Sequence, residues 1–275
     1  MKEIVLDIDG TLLNSDKVIT PKTKSALIEA QESGIKVILA SGRSTNGMLK
    51  FAKELQMAQY DGLLVAYNGA RVTDVQTGEV LFDQSIPKGL AQSVLEKLKS
   101  YDLIPMINDD QYMYVNNVFG GMIDVFGKQA NIIEYESRGG NFLLCEQEDL
   151  AKFADFPLNK ILVAGEADYL QAVADEIYAP FKAHLTGAFS APFYFEFTAK
   201  GIDKAKALDV VNTRLGIEAK DVISFGDAQN DATIINYAGL GVVMGNGTEA
   251  MKASADFVTS SHDEDGIAVA LAKFL

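Results

Sequence analysis

The chain carries one cysteine, no tryptophan and two histidines in 275 residues. A single thiol, Cys145, excludes an internal disulfide and predicts a reducing compartment. In the run Phe142-Leu143-Leu144-Cys145 it reads as a buried apolar filler. His184 and His262 belong to no ligand-spaced cluster, which argues against a transition-metal centre. No apolar run approaches the roughly 20 residues that a membrane span needs. Glu3 directly after Met1-Lys2 predicts no signal peptide, so the expected location is cytoplasmic. Basic residues are also scarce: 24 Lys and Arg stand against 38 Asp and Glu, a net charge of −14. That balance disfavours nucleic acid and anionic membrane as partners. An anionic ligand would therefore need local positive charge, from a metal ion or a few placed side chains.

What is present is a globular composition, with 48% hydrophobic residues and enough length for one large domain or two modest ones. Apolar runs at Ile4–Ile8, Ile35–Ala40 and Leu63–Ala66 alternate with helical patterns, the first opened by Thr20-Pro21 and stopped at Gly34. This predicts a parallel sheet covered on both faces. Around Thr77-Gly78-Glu79 the pattern becomes a hairpin. Helix and antiparallel-strand signals follow, including the aromatic alternation Phe193 to Phe197, expected to pack a sheet. From Lys204 the first style returns, with a helix to Leu215, strands at Val222–Phe225 and Leu240–Met244, and a terminal helix. The expected architecture is a doubly wound, Rossmann-like α/β core, 1–83 with 198–275, split by an α+β insertion at 84–197.

Two aspartates, Asp7 and Asp9, close the first apolar strand, where charge is costly unless compensated. Either a cation sits there or the stretch is an acidic turn. A calcium loop is excluded, because its twelfth position counted from Asp7 is Val18 rather than Glu. Three further features fall at or beside core strand ends, where open α/β sheets place their sites: Ser41-Gly42-Arg43, Gly226-Asp227-Ala228-Gln229-Asn230-Asp231, and Lys204. Asp7 and Asp227 offer the hard oxygens that Mg²⁺ prefers. Ser41 and the amides beside Gly42 can hold phosphate oxygens. Lys204 is a compact charge suited to a carboxylate and a phosphoryl group, and Asn230 could orient Lys204 or phosphate. Arg43 reads as a substrate contact or as the partner of an acid, and Asn68 as a substrate-side residue. Gly239-Leu240-Gly241 precedes a strand, not a helix, and is no dinucleotide loop.

Together, DIDGT, Ser41, Lys204 and GDAQND resemble the haloacid dehalogenase superfamily of phosphatases. Tyr67-Asn68-Gly69-Ala70, Ala199 to Lys204, Ala255 to Thr259 and Asp265-Gly266-Ile267 are similar to its Cof-type branch. The resemblance implies Asp7 as nucleophile, forming an aspartyl-phosphate, and Asp9 as general acid and then base. It implies Mg²⁺ held by Asp7, the Asp9 carbonyl and Asp227, with Asp231 in support, and a phosphoryl group held by Ser41 and Lys204. The insertion would be a cap that excludes water and selects substrate. Ala205 departs from the pattern, which usually has glycine there. The expected activity is Mg²⁺-dependent hydrolysis of a small phosphorylated metabolite. The alternatives are a phosphosugar mutase or phosphotransferase, and a non-catalytic metabolite sensor. Neither substrate identity nor oligomeric state follows from the sequence.

Overall fold

The run Glu3-Ile4-Val5-Leu6 forms β1 (Glu3–Leu6), buried along its whole length as a strand covered on both faces must be. The computed structural model describes residues 1–275 and divides into two compact units, Met1–Asp83 with Asp203–Leu275, and Gln84–Ile202. After β1, helix α1 (Pro21–Glu32) begins at Thr20, whose side chain accepts from Thr23 N. β2 (Lys36–Ala40), α2 (Thr45–Glu54) and β3 (Leu63–Ala66) continue the alternation. A hairpin of β4 (Arg71–Asp74) and β5 (Val80–Asp83) ends this segment.

The inserted unit opens with α3 (Lys88–Leu98), β6 (Ile104–Asn108) and β7 (Tyr112–Val115). A separate hairpin, β8 (Met122–Val125) and β9 (Lys128–Asn131), leads into α4 (Ile132–Gly140). Then come β10 (Leu143–Glu146), α5 (Leu150–Phe153), β11 (Lys160–Ala164) and α6 (Ala167–Tyr178). Strands β12 (Leu185–Ala191) and β13 (Tyr194–Ala199) complete it. Its six-stranded sheet has the order β10-β7-β6-β11-β13-β12. The aromatic alternation packs both faces of that sheet: Phe195 and Phe197 join one apolar cluster, Phe193 and Tyr194 another. Cys145 departs from expectation. It is a free thiol on β10 and only half-buried, because β10 is an edge strand with Leu143 and Leu144 exposed on it.

The first unit resumes with α7 (Lys204–Leu215), β14 (Val222–Gly226) and α8 (Ala232–Tyr237). β15 (Leu240–Val243), α9 (Glu249–Lys252), β16 (Phe257–Val258) and α10 (Gly266–Phe274) close the chain. Its sheet runs β16-β15-β14-β1-β2-β3-β4-β5, parallel from β16 to β3 and antiparallel across β4 and β5. Leu6 pairs with both Leu39 and Phe225, so β1, β2 and β14 end level and their following residues share one sheet edge. No helix is long and apolar enough to cross a membrane.

Candidate active site

The residue after β1 is Asp7, 5% exposed, whose amide donates to Phe225 O at 3.1 Å. Lys204, 1% exposed, points its ammonium at it. Nζ donates to Asp7 Oδ1 at 2.7 Å, to Asp231 Oδ1 at 2.7 Å and to Ala40 O at 2.9 Å. These three acceptors use the three ammonium hydrogens. A lysine at the first position of a helix is at the wrong end of the helix dipole, and burial adds a second cost. Two carboxylates compensate both. Burial pushes the Lys204 ammonium down, and Asp7 and Asp231 more than reverse that, leaving it above its ordinary value.

Asp231 is fully buried and works from both oxygens. Oδ1 takes Lys204, while Oδ2 accepts from the amides of Asp227 and Ala228 at 3.1 Å each. It thereby ties the turn after β14 to the lysine. Asp227 accepts from Thr11 Oγ1 at 2.9 Å. Asp7, Asp227 and Asp231 each bring one oxygen within 4.8 Å of the others, an all-carboxylate cluster able to hold a hard divalent cation. Burial drives the Asp7 carboxyl up to about 7; Lys204 opposes that rise, whereas Asp231 and Asp227 add to it. Burial also raises Asp227, with Asp231 adding and Thr11 opposing.

Gly10 makes the approach of Asp227 feasible. Its φ is +85°, and a Cβ there would lie 2.5 Å from Asp227 Oδ2. Gly10→Ala is expected to weaken divalent-cation binding roughly tenfold or more, as loss of an orienting partner does. Calorimetric titration with Mg²⁺ checks this; unchanged affinity would mean that the Gly10 turn does not position Asp227.

The second strand end supplies Ser41, Gly42 and Arg43. Ser41 is buried; its amide donates to Val65 O at 2.9 Å and its Oγ accepts from Arg43 N at 3.3 Å. This loop is laced to the end of β3, since Tyr67 N donates to Arg43 O and Asn68 N to Ser41 O, both at 2.9 Å. Tyr67, Asn68 and Gly69 all have positive φ, of 51°, 56° and 101°. Such a run in bulky residues is strained and persists only where its surroundings hold it. At Gly69 the reason is visible, because a Cβ there would lie 2.7 Å from Lys204 N. Asn230 donates to Asn68 Oδ1 at 3.5 Å, and the Nζ donors of Lys204 go elsewhere. Ala205 is buried in the core cluster beside Val5 and Ile38, so its methyl group packs rather than clashes.

Asp9 stands apart from the acidic cluster. Both its oxygens accept from Arg43, Oδ2 from Nε and Oδ1 from Nη2, each at 2.8 Å. Lys17 Nζ lies 3.7 Å from Oδ1. Burial pushes the Asp9 carboxyl up, and Arg43 with Lys17 outweighs it, holding the group below the usual carboxylate range. Of the two readings of Arg43, the structure displays the pairing with an acid. Sequence reasoning missed Thr11, Lys17 and Asn246, whose Nδ2 donates to Gly10 O at 2.8 Å. Thr11 had a signal, its place directly after the Asp-Gly turn; the other two had none.

A family model described as haloacid dehalogenase-like hydrolase matches residues 4–271. YxeH of Bacillus subtilis is 30% identical over 271 residues, covering 98% of this chain and 97% of YxeH. A second B. subtilis protein, the 5-amino-6-(5-phospho-D-ribitylamino)uracil phosphatase YcsE, is 28% identical over 274 residues, with coverage of 98% and 94%. The crystal structure of a haloacid dehalogenase-like hydrolase from Bacteroides thetaiotaomicron superposes with a TM-score of 0.92 at 32% identity, covering 100% of this chain and 99% of that one.

Proposed function

Because this phosphatase belongs to the haloacid dehalogenase-like hydrolase family, we propose that it hydrolyses monoesters of small phosphorylated metabolites, with Asp7 as the nucleophile. One observation carries the reading: a buried carboxylate held by a buried ammonium, at a strand end that also gathers two more aspartates. An Asp7 oxygen attacks phosphorus, the P–O ester bond breaks, and the leaving oxygen takes a proton from Asp9, which carries one only when its pairing with Arg43 is loosened. Water then attacks the aspartyl-phosphate and gives its proton to Asp9. The bond from phosphorus to Asp7 breaks and inorganic phosphate departs. Lys204 fixes Asp7 through Oδ1 and offsets charge on the transferring group. Ser41 and the amides around Gly42 receive phosphoryl oxygens, with Asn68 and Asn230 at the rim.

The all-oxygen donor set and the space that Gly10 leaves beside Asp227 fit Mg²⁺. Asp7, the Asp9 carbonyl and Asp227 would hold it, with Asp231 in support. When bound, it supplies positive charge to the phosphoryl oxygens. An ion and Lys204 thus bring a phosphate to a protein of net charge −14. Gln84–Ile202 is the specificity unit in this reading, and the phosphoribityl substrate in the name of YcsE supports a small-metabolite class.

The test is phosphate release from a panel of phosphorylated sugars, nucleotides and cofactors, with Mg²⁺ and with chelator. Release is expected only with the metal. Mg²⁺ affinity is expected to weaken as pH falls below about 7, since burial raises Asp7 to that range and a proton must leave it on binding. No release anywhere from folded, Mg²⁺-binding protein would sink the hydrolase reading and favour phosphoryl transfer or sensing.

A further inference from the structure

The surroundings of Asp9 point to the kind of leaving group this site takes. Two cations converge on one carboxylate: Arg43 in a two-pronged pair at 2.8 Å and Lys17 at 3.7 Å. Each Asp9 oxygen keeps a second lone pair that can carry a hydrogen, but a protonated carboxyl is a weaker acceptor than a carboxylate, so the pair with Arg43 loosens whenever Asp9 acts as an acid. The Arg43 guanidinium fork then suits a second anion with two in-plane oxygens.

The Lys17 side chain is exposed, but it is carried on a fixed backbone. It has φ +60° in the turn from Asn14 to Val18, a conformation in which lysine is strained and glycine or asparagine is ordinary. The turn is closed by Asn14, whose amide donates to Val18 O and whose Oδ1 accepts from Val18 N, both at 3.1 Å. Asp263 pins it to the core, accepting from Ser15 N and Ser15 Oγ at 2.7 Å each. The bridge between Asp9 and Leu13 fixes its base. A costly, doubly tethered turn therefore holds a second cation beside the Arg43–Asp9 pair.

We propose that Arg43 and Lys17 form an oxyanion-receiving pair on the leaving-group side of the site, and that the best substrates are phosphate monoesters whose leaving group carries a second carboxylate or phosphate. This rests on the reading of Asp9 as the leaving-group acid, because that role places its partners next to the leaving group. The second anion takes Arg43 from Asp9 like for like and gains Lys17 as well. A neutral leaving group offers the two cations no such anion.

The experiment compares kcat/KM for matched esters: 3-phosphoglycerate with glycerol 3-phosphate, and fructose 1,6-bisphosphate with fructose 6-phosphate. The first pair reads a carboxylate and the second a phosphate. Wild type is expected to favour the member whose leaving group carries the second anion, in at least one pair, by roughly tenfold or more, the scale of one hydrogen bond to a charged group. Arg43→Gln and Lys17→Gln are expected to bring that ratio toward one, and Lys17→Glu to invert it. Wild type that hydrolyses p-nitrophenyl phosphate but shows both ratios near one, or ratios that the substitutions leave unmoved, would overturn the proposal alone. Wild type that hydrolyses no ester, p-nitrophenyl phosphate included, would remove the phosphatase reading and this proposal with it.

Discussion

Asp7→Asn is expected to lower turnover by at least about 10⁴-fold while leaving a folded protein, in line with removal of other enzymic nucleophiles. An amide oxygen still accepts from Lys204, whose ammonium keeps Asp231 and Ala40 O as partners. The cost to the fold is therefore small, on the order of 1 kcal/mol for one weakened hydrogen bond. The chemistry has no such reserve. An amide cannot attack phosphorus, so no phosphorylated protein should accumulate in the variant. Acid quench followed by intact-mass measurement checks this: wild type under turnover should gain one phosphoryl group and the variant none. Undiminished hydrolysis by the variant would remove Asp7 from the mechanism, and a phosphorylated variant would place the acceptor elsewhere.

Lys204→Met should damage both fold and function. The sulfur side chain fills much of the volume but leaves Asp7 and Asp231 buried without their cation, 5% and 0% exposed. Breaking a buried charge pair from one side costs about 3–5 kcal/mol. Turnover should fall by on the order of 10²–10³-fold even where the variant is folded, the scale of losing one oriented donor to the transition state. The pH dependence has a definite sign. With Lys204 gone, burial and Asp231 act on Asp7 unopposed, so its folded-state pKa rises beyond the about 7 of wild type and far above its unfolded value. A carboxyl raised on folding contributes stability that is complete below the unfolded pKa and lost as pH rises through the folded one. The unfolding temperature of chelator-treated Lys204→Met should therefore fall between about pH 4 and pH 8 more steeply than that of wild type. Parallel curves for the two proteins would contradict the assignment of Lys204 as the counter-charge.

The acidic and basic members of this centre were legible because their positions are dictated by the sheet. Apolar strands of four or five residues end in charge at Asp7, Ser41-Gly42-Arg43 and Asp227, and the level register of β1, β2 and β14 turns those three endings into one place. Lys204 was legible as the residue opening a helix before β14. Lys17 was not, since a lysine in an exposed turn looks like solvated surface; only its positive φ and the tethers from Asp263 set it apart. Asn246 likewise acts through its contact with a carbonyl distant in sequence. In the insertion, helices α3 and α6 and strand β11 showed their period. The β8–β9 hairpin did not, because Lys128-Gln129-Ala130-Asn131 carries no apolar alternation and lies on a two-stranded ribbon rather than in a core. Cys145 was misread for a related reason: its apolar neighbours Leu143 and Leu144 are themselves exposed.

The order of strands in the core sheet also sets a timetable for synthesis. β1 lies between β2, whose residues follow within the first 40, and β14, which starts only at Val222. At about 5–20 residues per second, translation leaves one edge of Ile4-Val5-Leu6 without its neighbour for roughly 10–40 s. An open edge of that apolar kind is a template for pairing with another chain. The insertion is made during this interval and has its own six-stranded sheet to complete. The newborn chain is thus at its most aggregation-prone just before the residues that finish the sheet emerge, and those same residues bring Asp227 and Asp231 to Asp7. Solubility and catalytic competence therefore arrive together, late, and by the same pairing of β14 with β1.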